Sequence, residues 1–554
     1  MHQSGRVEPT ATNATPGDPD GPNPAAVVVL AAGEGRRMRS STPKVLHEIA
    51  GRALLGHAVH AAASVHPGYL VVVIGHGREQ VQDYLAKLSS ELAAAVLVAI
   101  QDEQRGTGHA VACAMRSMPA TVAGPVVVTY GDVPMLDADT LRGLIREHAS
   151  AGNAVTVLTA ELADPTGYGR ILRAGGDRRA AVTGIVEQAD ASPAQLAIRE
   201  INSGVYVFDA DMLRTGLARL ANPASTANAQ GEQYLTDLIG MAHSDGKRVG
   251  ARCCPDPWLV TGINDRIQLA EVRAELNRRL LAEWMRAGVT VVDPATTWVD
   301  VSVRLAPDVT LLPGTQLHGT TAVAEGASIG PDTTLTDCVV GPSATVIRTH
   351  GRDAVIGAGA NVGPFAYLRP GAWLGEASKI GTFVEVKNSE VGAGTKVPHL
   401  TYVGDATIGE HANIGASSVF VNYDGVNKHR TVVGAYARTG SDNTFVAPVT
   451  IGDGAYTGAG AVIRADVPPG ALAVSAGDQR IIEGWVSRRR AGTAAALAAE
   501  RAAAKVDQAV PERASDSMPD PAPDPALEPD PRDFVSIPAT PVGGSRPGAG
   551  GPTT

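Results

Sequence analysis

A glycine-rich turn and a lysine near the start of the chain have the composition of a phosphate-binding site. The sequence L-A-A-G-E-G-R-R-M occupies residues 30–38, directly after an apolar run, and Lys44 follows it. Small residues let the backbone approach a ligand closely, and a fixed lysine beside such a turn neutralises phosphate charge. The G-x-x-x-x-G-K-[ST] phosphate loop does not occur in the chain, so a different kind of site is indicated.

Two further segments suit a nucleotide and a metal ion. The segment Q-D-E-Q-R-G-T-G begins at Gln101 and offers the backbone N–H groups of Gly106 and Thr107, with amide side chains to read a base edge. The alternative is a polar turn with a helix cap at Thr107. Asp132 follows an apolar strand, at the edge where parallel sheets bind ligands and where a carboxylate can hold Mg²⁺. Its alternative role is to cap the next helix.

The second half of the chain carries cations, a histidine and a loop that interrupts a repeat. Arg369 and Lys387 suit an anionic sugar phosphate, and His399 suits a general base because histidine titrates near neutral pH. A lone histidine is more often a packed or surface residue. The two cations and Tyr402 are predicted to lie near His399 on stacked turns, which favours a catalytic role for this histidine. The segment 421–430 is expected to leave the scaffold as an inserted loop.

Short apolar strands that alternate with helices must position the first of these groups. This alternation predicts an α/β, Rossmann-like domain with a parallel sheet covered by helices on both faces. Strands are predicted at 27–30, 70–74, 96–100, 126–130 and 155–158, and helices at 54–64 and 108–118.

A long helix and then a six-residue repeat follow. The helix, over 265–287, is expected to connect two domains. It is indicated by apolar residues three or four apart, Leu269, Val272, Leu276, Leu280 and Trp284. The repeat places an apolar residue every six positions, often followed by glycine, and predicts a three-sided parallel β-helix rather than hairpins, which have period two. Its positions are Val299, Leu305, Leu311, Leu317, Val323, Ile329 and Leu335, then Ile356, Val362, Leu368, Leu374 and Ile380, then Val433, Thr439, Phe445, Ile451, Thr457 and Ile463.

Composition and charge exclude several classes of protein. A chain of 554 residues is too long for one core, and a net charge of −10 argues against a nucleic-acid binder. The apolar run at 25–32 is too short to span a membrane, and the first 24 residues lack the apolar core of a signal peptide. Four cysteines without CxxC spacing form neither a disulfide framework nor a zinc site, so the cytoplasm is expected.

The motifs together resemble those of the sugar-nucleotide pyrophosphorylases. L-A-A-G-x-G-x-R-M…P-K, Q-x-E-Q-x-G-T-G-H-A, Y-G-D-V-P, D-P-T-G-Y-G-R, V-E, E-I-N-[ST]-G and G-E-x-Y-x-T-D occur in that order. With the β-helix behind them, residues 25–485 resemble the bacterial GlmU family, particularly its actinobacterial members. That resemblance implies two activities, N-acetylglucosamine-1-phosphate uridylyltransferase and glucosamine-1-phosphate N-acetyltransferase, in the synthesis of UDP-N-acetylglucosamine for the cell wall.

The resemblance implies a role for each residue of the first group. The residues expected to bind the uracil and ribose of UTP are Leu30, Ala31, Ala32, Gly33, Gln101, Gly106 and Thr107. Arg37 and Lys44 are expected to contact the phosphates, and Asp132 and Asn264 are expected to bind Mg²⁺. Tyr130, Gly169, Glu187 and Asn202 are expected to bind the N-acetylglucosamine of N-acetylglucosamine 1-phosphate.

It likewise implies roles in the coil, which in this family is a left-handed parallel β-helix that forms a homotrimer with active sites between subunits. His399 would deprotonate the glucosamine amine for attack on the acetyl-CoA thioester, while Asn422 holds the thioester carbonyl or orients the amine. Arg369, Lys387, Tyr402 and Lys428 would bind the sugar phosphate, and Asn413 and Tyr423 would line the same site. Ala416, Ser441 and Ala459 would contact acetyl-CoA, together with Asn422 and Tyr423.

Departures from the family pattern and two alternative functions accompany this prediction. Ala476 stands where many members have an arginine that contacts CoA, and Trp485 from a neighbouring chain is the candidate substitute. Glu34 and Ser203 stand where lysine and threonine are common. The alternatives are a uridylyltransferase whose coil is only a trimerisation scaffold and a non-catalytic sensor of nucleotide sugars. His399, Asn422 and Tyr423 count against the scaffold alternative. Asp132, Asn264 and His399 count against the sensor alternative.

The expected organisation has six segments. They are a disordered N-terminal extension at 1–24, a uridylyltransferase domain at 25–264, a helical linker at 265–294, a β-helix acetyltransferase domain at 295–476, a C-terminal segment with one loosely held helix at 477–510, and a disordered Pro-rich tail at 511–554.

Overall fold

A computed structural model of the chain describes residues 23–92, 94–176, 180–222, 228, 230–475, 477, 479 and 481–507. The predictions for Ala476, for 1–22 and for 511–554 lie outside the described residues. The chain divides into a unit up to residue 476 and a second unit from residue 477.

The first part of unit one is an α/β domain, as predicted. Its strands are β1 (Ala26–Ala31), β2 (Glu48–Ile49), β3 (Arg52–Ala53), β4 (Tyr69–Ile74), β5 (Val96–Ile100), β6 (Pro125–Tyr130), β7 (Val155–Glu161), β8 (Arg170–Arg173), β9 (Val182–Val186), β10 (Glu200–Asp209) and β11 (Val249–Cys254). Its helices are α1 (Leu54–Ala63), α2 (Arg78–Leu92), α3 (Thr107–Arg116), α4 (Ala138–Ala151), α5 (Pro193–Leu196), α6 (Ala210–Leu220) and α7 (Asp237–Ser244). The long helix α8 (Arg266–Arg286) follows them.

The main sheet has the strand order β11-β7-β10-β6-β1-β4-β5, with β8 and β9 attached through β10. All six residues of β1 are buried. Val28 and Leu30 face one core, and Val27 and Val29 face the other, which explains the uninterrupted apolar run. Helices therefore cover both faces of the sheet, as expected.

The expectation of a parallel sheet is wrong at two strands, β9 and β10. Strand β10 runs antiparallel to both β6 and β7, whereas β1, β4, β5 and β6 are mutually parallel. A parallel neighbour needs a crossover connection of a dozen or more residues, usually a helix. The chain between β7 and β10 instead holds the antiparallel β8–β9 pair and the four-residue helix α5, so it returns in the opposite direction.

Residues 290–473 form the predicted β-helix, with strands that pair in parallel with the strand one turn later on each of three faces. The first face contains Thr290–Val291, Thr310–Leu311, Ser328–Ile329, Thr345–Val346, Asn361–Val362, Lys379–Thr382 and Lys396–His399, and Tyr456–Thr457 pairs with Leu472–Ala473 further along. The second contains Trp298–Val299, Gln316–His318, Thr334–Thr336, His350–Arg352, Tyr367–Leu368, Glu385–Lys387, Tyr402–Gly404, Val419–Val421, Thr444–Val446 and Val462–Ile463. The third contains Arg304–Leu305, Ala322–Val323, Val339–Val340, Ala354–Ile356, Ala372–Leu374, Ser389–Val391, Ala406–Ile408, Thr431–Val433 and Val449–Ile451.

Every residue assigned to the six-residue repeat is buried, which confirms the interpretation of the pattern. Leu311, Leu317 and Ile329 have no exposed surface, and Phe420 packs against Phe445 inside the coil in a tilted arrangement with ring centroids 4.9 Å apart. The interruption of the repeat is one residue shorter than predicted, because Val421 still belongs to a strand and the excursion covers 422–430.

Helix α8 packs on both neighbouring parts rather than only spanning between them. Leu269 and Val272 join an apolar cluster of the α/β domain, while Leu281 lies in the core of the coil. Leu281, not the predicted Leu280, is the fully buried leucine, and Asn277 is buried as well. Its amide donates to Thr297 O (2.8 Å) and accepts from Val299 N–H (3.1 Å), so it ties the helix to the first turn of the coil.

The described part of the second unit contains two helices, α9 (Trp485–Arg489) and α10 (Ala494–Asp507). The helix predicted at the Arg- and Ala-rich end of this segment corresponds to α10, and α9 is an additional short helix. The chain turns between them at Gly492, which has φ 76°. The Thr493 hydroxyl accepts from Ala496 N–H (3.3 Å) and so caps a new helix. In the residues that the structure covers, no helix is both long and apolar enough to cross a membrane.

Candidate active sites

Three polar side chains from distant parts of the α/β domain meet at the carboxyl edge of its sheet. Lys44 Nζ pairs with the carboxylate of Asp132 and lies 3.4 Å from Asn264 Oδ1. The side chains of Lys44 and Asp132 are only 13% and 16% exposed, so this cation lies in a sheltered position between two oxygen donors. Asp137, not Asp132, caps helix α4, which removes the capping alternative for Asp132.

The glycine-rich turn and the 101–108 segment line a cavity of about 360 Å³ at this edge, the first cavity. Gln101 Nε2 donates to Gly106 O (3.1 Å), which holds the loop ahead of α3 in place. Gly106 has φ 103°, and a Cβ there would press against the backbone of Gln233. Thr107 is not the cap, since α3 begins at that residue and its hydroxyl accepts from Leu235 N–H (3.0 Å). The predicted residues that line this cavity are Leu30, Ala31, Ala32, Gly33, Lys44, Gln101, Gly106, Thr107, Tyr130, Asp132 and Asn264.

A second cavity of about 460 Å³ adjoins the first, since Thr107, Tyr130 and Glu232 line both. Glu187 lines the second cavity and accepts a hydrogen bond from the Thr236 hydroxyl (3.1 Å). Two more predicted residues surround this carboxylate. A Cβ at Gly169 would contact Glu187 Oε2 at 3.2 Å and Asn202 Cβ at 3.5 Å. The Asn202 N–H donates to Gly169 O (2.9 Å).

Burial controls the ionisation of this second cavity. Desolvation raises the pKa of Glu187 above its ordinary value, against the hydrogen bond from Thr236, with Asp190 and Asp237 adding to the rise. Desolvation also raises the pKa of Tyr130, helped by the charges of Glu187 and Asp132. Its phenol therefore remains a hydrogen-bond donor at neutral pH.

Arg37 is not brought to either cavity. It is exposed on a short 3₁₀ helix, Arg36–Met38, and lines neither of them. Sequence reasoning assigned no role to Glu232, Tyr234 and Thr236, which line the second cavity. They belong to the motif G-E-x-Y-x-T-D, which therefore carried the signal without a role attached to it. Tyr234 is 8% exposed and its hydroxyl is without a hydrogen-bond partner among the described residues.

In the coil, the predicted cations lie on adjacent turns of the second face and each has a carboxylate partner. Arg369 Nη1 is 2.8 Å from Glu385 Oε1, and Lys387 Nζ is 2.9 Å from Asp405 Oδ2. The hydrogen bond that Lys387 donates to the Asp405 carboxylate raises the pKa of Lys387 above its ordinary value. Lys387 is therefore a fixed cation rather than a mobile surface lysine.

Asp405 is a further residue of this candidate site, and sequence reasoning missed it. Its carboxylate accepts from Lys387, from Asn388 Nδ2 (2.6 Å) and from Asn422 Nδ2. Burial raises the pKa of Asp405, but the hydrogen bonds from Asn388, Lys387 and Asn422 outweigh it and lower the pKa below its ordinary value. An aspartate at a coil corner is common in this chain, as at Asp337 and Asp353, so its type alone gave no signal.

His399 ends the strand Lys396–His399 and is exposed. Within the described residues its imidazole has no hydrogen-bond or ion-pair partner, so a ring nitrogen is available to a substrate. Tyr402, on the next face of the same turn, has its hydroxyl 3.4 Å from Asn422 Nδ2. Asn413 bridges in parallel to Lys396, one turn earlier on the His399 face.

The inserted loop and one corner of the coil hold the remaining predicted residues. Tyr423 and Lys428 are exposed and form an antiparallel bridge across the loop. Ala416 and Ser441 lie on successive turns, where their carbonyl groups accept from the N–H groups of Asp442 (2.7 Å) and Gly460 (2.9 Å). Ala459 N lies against Gly440 on the following turn. These three small residues form a row along the coil.

Metal binding by protein groups alone is not favoured in the described part of the chain, where no group of three or more His, Cys, Asp or Glu side chains converges. Asp132 and Asn264 offer two oxygen donors around a site that the Lys44 ammonium group occupies. This donor set fits Mg²⁺, which commonly keeps water and phosphate oxygens as its other ligands.

Comparisons with known proteins show which family the chain is similar to. A MobA-like NTP transferase domain matches residues 27–191. The Bifunctional protein GlmU of Kineococcus radiotolerans is 61% identical over 477 residues, which are 86% of this chain and 95% of that protein. The chain belongs to the GlmU family. GlmU of Mycolicibacterium gilvum is 61% identical over 476 residues (86% of this chain, 94% of that protein), and GlmU of Rhodococcus jostii is 60% identical over 480 residues (86% and 95%).

Membership in the GlmU family assigns both transfer activities to the chain, so neither the scaffold-only nor the sensor alternative is needed. The chain acts on nucleotide and acetyl-CoA substrates. Among solved structures, UDP-glucose pyrophosphorylase complexed with UDP-glucose covers 46% of this chain and 99% of its own, at 16% identity and a TM-score of 0.36. That likeness is too weak to add to the assignment.

Proposed function

We propose that the chain acetylates glucosamine 1-phosphate with acetyl-CoA in the coil and then joins the product, N-acetylglucosamine 1-phosphate, to UMP from UTP in the α/β domain. The observation that carries the proposal is the meeting of Lys44, Asp132 and Asn264 where two cavities join. One cavity suits a nucleotide and the other a polar sugar, so the reacting phosphates would meet at their boundary.

In uridylyl transfer, we assign UTP to the first cavity and the sugar to the second. Gln101, Gly106 and Thr107 would hold the base and ribose, with Leu30, Ala31, Ala32 and Gly33 forming the floor beneath them. Glu187, Asn202, Gly169 and Tyr130 would bind the sugar. An oxygen of the sugar phosphate attacks the α-phosphorus of UTP, a new P–O bond forms, and the bond to the bridging oxygen of pyrophosphate breaks. Such a transfer needs placement and charge neutralisation rather than a protein nucleophile.

Lys44 supplies part of that charge from the chain itself, and we assign Mg²⁺ to Asp132 and Asn264. Bound there, the ion would neutralise charge on the transferring phosphoryl group and on pyrophosphate. Lys44 now pairs with Asp132, so the ammonium group would pass to the phosphates when they and the ion are bound. We assign no phosphate contact to Arg37 in this conformation, because it lines neither cavity.

In acetyl transfer, we assign the general base to His399. The glucosamine amine loses a proton to the imidazole as its nitrogen attacks the thioester carbonyl carbon. The C–S bond then breaks, and CoA leaves as a thiol once it receives that proton. Arg369, Lys387, Tyr402 and Lys428 would hold the sugar phosphate. Asn413 and Tyr423 would line the same site, and the row Ala416, Ser441 and Ala459 would follow the extended CoA chain.

We propose that the coil works as a homotrimer, because its acetyl site borders an exposed apolar row. Phe365, Phe383 and Leu400 occupy one corner on successive turns and are 51%, 59% and 58% exposed. The two phenyl rings stack with centroids 5.4 Å apart, and Leu400 follows His399 directly. Monomers rarely leave such rows uncovered, so a second copy is expected to cover this one and to complete the site around His399. Sedimentation of the wild type and of Phe383→Asp would test this, since the variant should dissociate and lose acetyl transfer alone.

We place the enzyme in the cytoplasm, where UTP and acetyl-CoA are available. The four cysteines, Cys113, Cys253, Cys254 and Cys338, are all free thiols, as a reducing compartment allows.

A coupled assay on the purified chain tests the whole proposal. It would supply glucosamine 1-phosphate, acetyl-CoA, UTP and Mg²⁺, and would follow thiol release and pyrophosphate release separately. Release of both products is expected, and removal of Mg²⁺ with a chelator should abolish only pyrophosphate release. Pyrophosphate formed only when N-acetylglucosamine 1-phosphate is added, with no thiol release, would contradict the acetyltransferase assignment.

A further inference from the structure

Asp405 is buried and holds both ends of the inserted loop, one through its carboxylate and the other through its backbone carbonyl. Its Oδ2 accepts from the amide of Asn422, the first residue of the loop, and its backbone carbonyl accepts from the N–H of Thr431, where the coil resumes (3.2 Å). The His429 N–H donates to Asn422 O (2.8 Å) and closes the base of the loop. Asp405 is only 7% exposed, so these contacts are sheltered from water.

The same contacts determine which atom of Asn422 a substrate can meet. A carboxylate only accepts hydrogen bonds, so the Asn422 group that faces Asp405 must be its NH₂. That nitrogen also lies 3.4 Å from the Tyr402 hydroxyl. With its donors directed at Asp405 and Tyr402, Asn422 has only its carbonyl oxygen left for a ligand. Asn422 is 9% exposed, so its amide has little freedom to turn over.

From this geometry we propose that Asp405 is a positioning residue for acetyl transfer: it fixes the Asn422 amide so that Asn422 Oδ1 accepts from the substrate amine. An acceptor there orients the amine nitrogen toward the thioester, whereas it cannot stabilise a thioester carbonyl, which needs a donor. The proposal rests on the acetyltransferase role assigned to the coil, and it selects one of the two roles that the sequence left open for Asn422.

Asp405 separates this role from the binding of the sugar phosphate. Lys387 pairs with Asp405 at 2.9 Å and keeps its charge without that partner, so the phosphate retains its cation when Asp405 is neutralised. Replacing Asp405 with Asn should therefore lower kcat for acetyl transfer while KM for glucosamine 1-phosphate changes little. A merely structural role would instead reduce thermal stability in proportion to the loss of activity.

Asp353 provides a matched control on the same corner of the coil. It has the left-handed backbone of Asp405 (φ 46° against 50°), and each accepts through its carbonyl from the next turn, Asp353 from Gly371 and Asp405 from Thr431. It is exposed, and the two cations of the site pair with other carboxylates, Arg369 with Glu385 and Lys387 with Asp405. Asp353→Asn reproduces the chemical change and the backbone context, so any additional loss in Asp405→Asn reports on the contact with Asn422.

A pair of exchanged residues tests the direction of the hydrogen bond. Asn422→Asp alone places two carboxylates in contact and should lower kcat for acetyl transfer by at least about 100-fold. Asp405→Asn alone should lower it by about 10-fold or more, because the new amide can pair with either end of Asn422. The double variant Asp405→Asn/Asn422→Asp restores the pair with its donor on the other side and still presents an acceptor to the amine. It should recover at least about 10-fold over Asn422→Asp.

The measurement is steady-state thiol release with glucosamine 1-phosphate varied, with pyrophosphate release and thermal unfolding recorded for each variant. A double variant no more active than Asn422→Asp, or an Asp405→Asn variant no slower than Asp353→Asn, would overturn the positioning role. Absence of thiol release in the wild-type chain would instead contradict the acetyltransferase assignment itself.

Discussion

The two proposed sites are assembled in opposite ways. The uridylyl site collects residues that are far apart in the chain, with Lys44 and Asn264 separated by 220 positions, and it shelters them inside one domain. The acetyl site collects residues from successive turns of one coil and leaves His399 exposed. A fold that brings distant loops together can enclose its substrate alone, whereas a regular coil offers only a surface. This difference is the reason for our proposal that a second copy completes the site around His399.

This comparison predicts that the two activities fail separately. His399→Ala removes the proposed base, and acetyl transfer should fall by about 1000-fold because general-base catalysis supplies a factor of that order. Uridylyl transfer should stay within about twofold of the wild type, since a residue in the coil touches neither cavity of the α/β domain. Separate assays of thiol and pyrophosphate release measure both activities.

His411→Ala is the control for this substitution, because His411 is another exposed histidine of the coil, with its ring centroid 5.1 Å from that of Tyr436. It should leave both activities nearly unchanged. Loss of both activities in a folded His399→Ala protein would break the comparison, since it would mean that the sites depend on each other.

Asp132→Ala should give the reverse result. It removes a carboxylate beside Lys44 together with a proposed Mg²⁺ ligand, so uridylyl transfer should fall by about 100-fold or more. Acetyl transfer should not change. Asp139→Ala, on the exposed side of helix α4, is the matched control and should leave both rates as they are. A uridylyl rate equal to that of the control would remove Asp132 from the site.

The smallest expected effect concerns pH. The pKa of Glu187 is raised, so this carboxylate takes up its proton at a higher pH than an ordinary glutamate and loses acceptor capacity for sugar hydroxyl groups as the pH falls. KM for N-acetylglucosamine 1-phosphate should rise by about threefold relative to Glu187→Gln between about pH 7.5 and about pH 5.5. The ratio of the two proteins cancels the ionisation of the substrate phosphate. A ratio that stays constant with pH would show that Glu187 does not titrate in the site.

Much of the fold was predictable because burial leaves a periodic trace in the sequence. Period six marked the coil, and each repeat residue from Val299 to Ile463 is buried. The buried strands of the α/β domain were equally clear, but apolar runs carry no strand direction, so the antiparallel β10 was missed. The position of Leu281 in α8 was missed for a related reason, since Leu280 and Leu281 are adjacent and the pattern fits either of them.

Sites were predictable where a motif is contiguous and harder to predict where a contact joins distant turns. The glycine-rich turn and Asp132 belong to short motifs, and both line the first cavity. Asp405 acts through its contacts with Lys387, Asn388 and Asn422, none of which is adjacent to it in the sequence. Arg37 shows the opposite limit, because a basic residue within a motif need not face the cavity that the motif lines.

Helix α8 covers one end of the β-helix, and this has a consequence for the association of one coil with another. A parallel coil whose strands pair with the next turn presents unpaired backbone groups at its ends, where another coil could add its own strands. Leu281 and Trp284 pack against the core of the coil, and Asn277 bonds to its first turn. The helix thus covers the first turn of the coil and blocks the addition of strands from another coil at this end. A coil produced without residues 265–287 would expose this edge and should form filaments or aggregates.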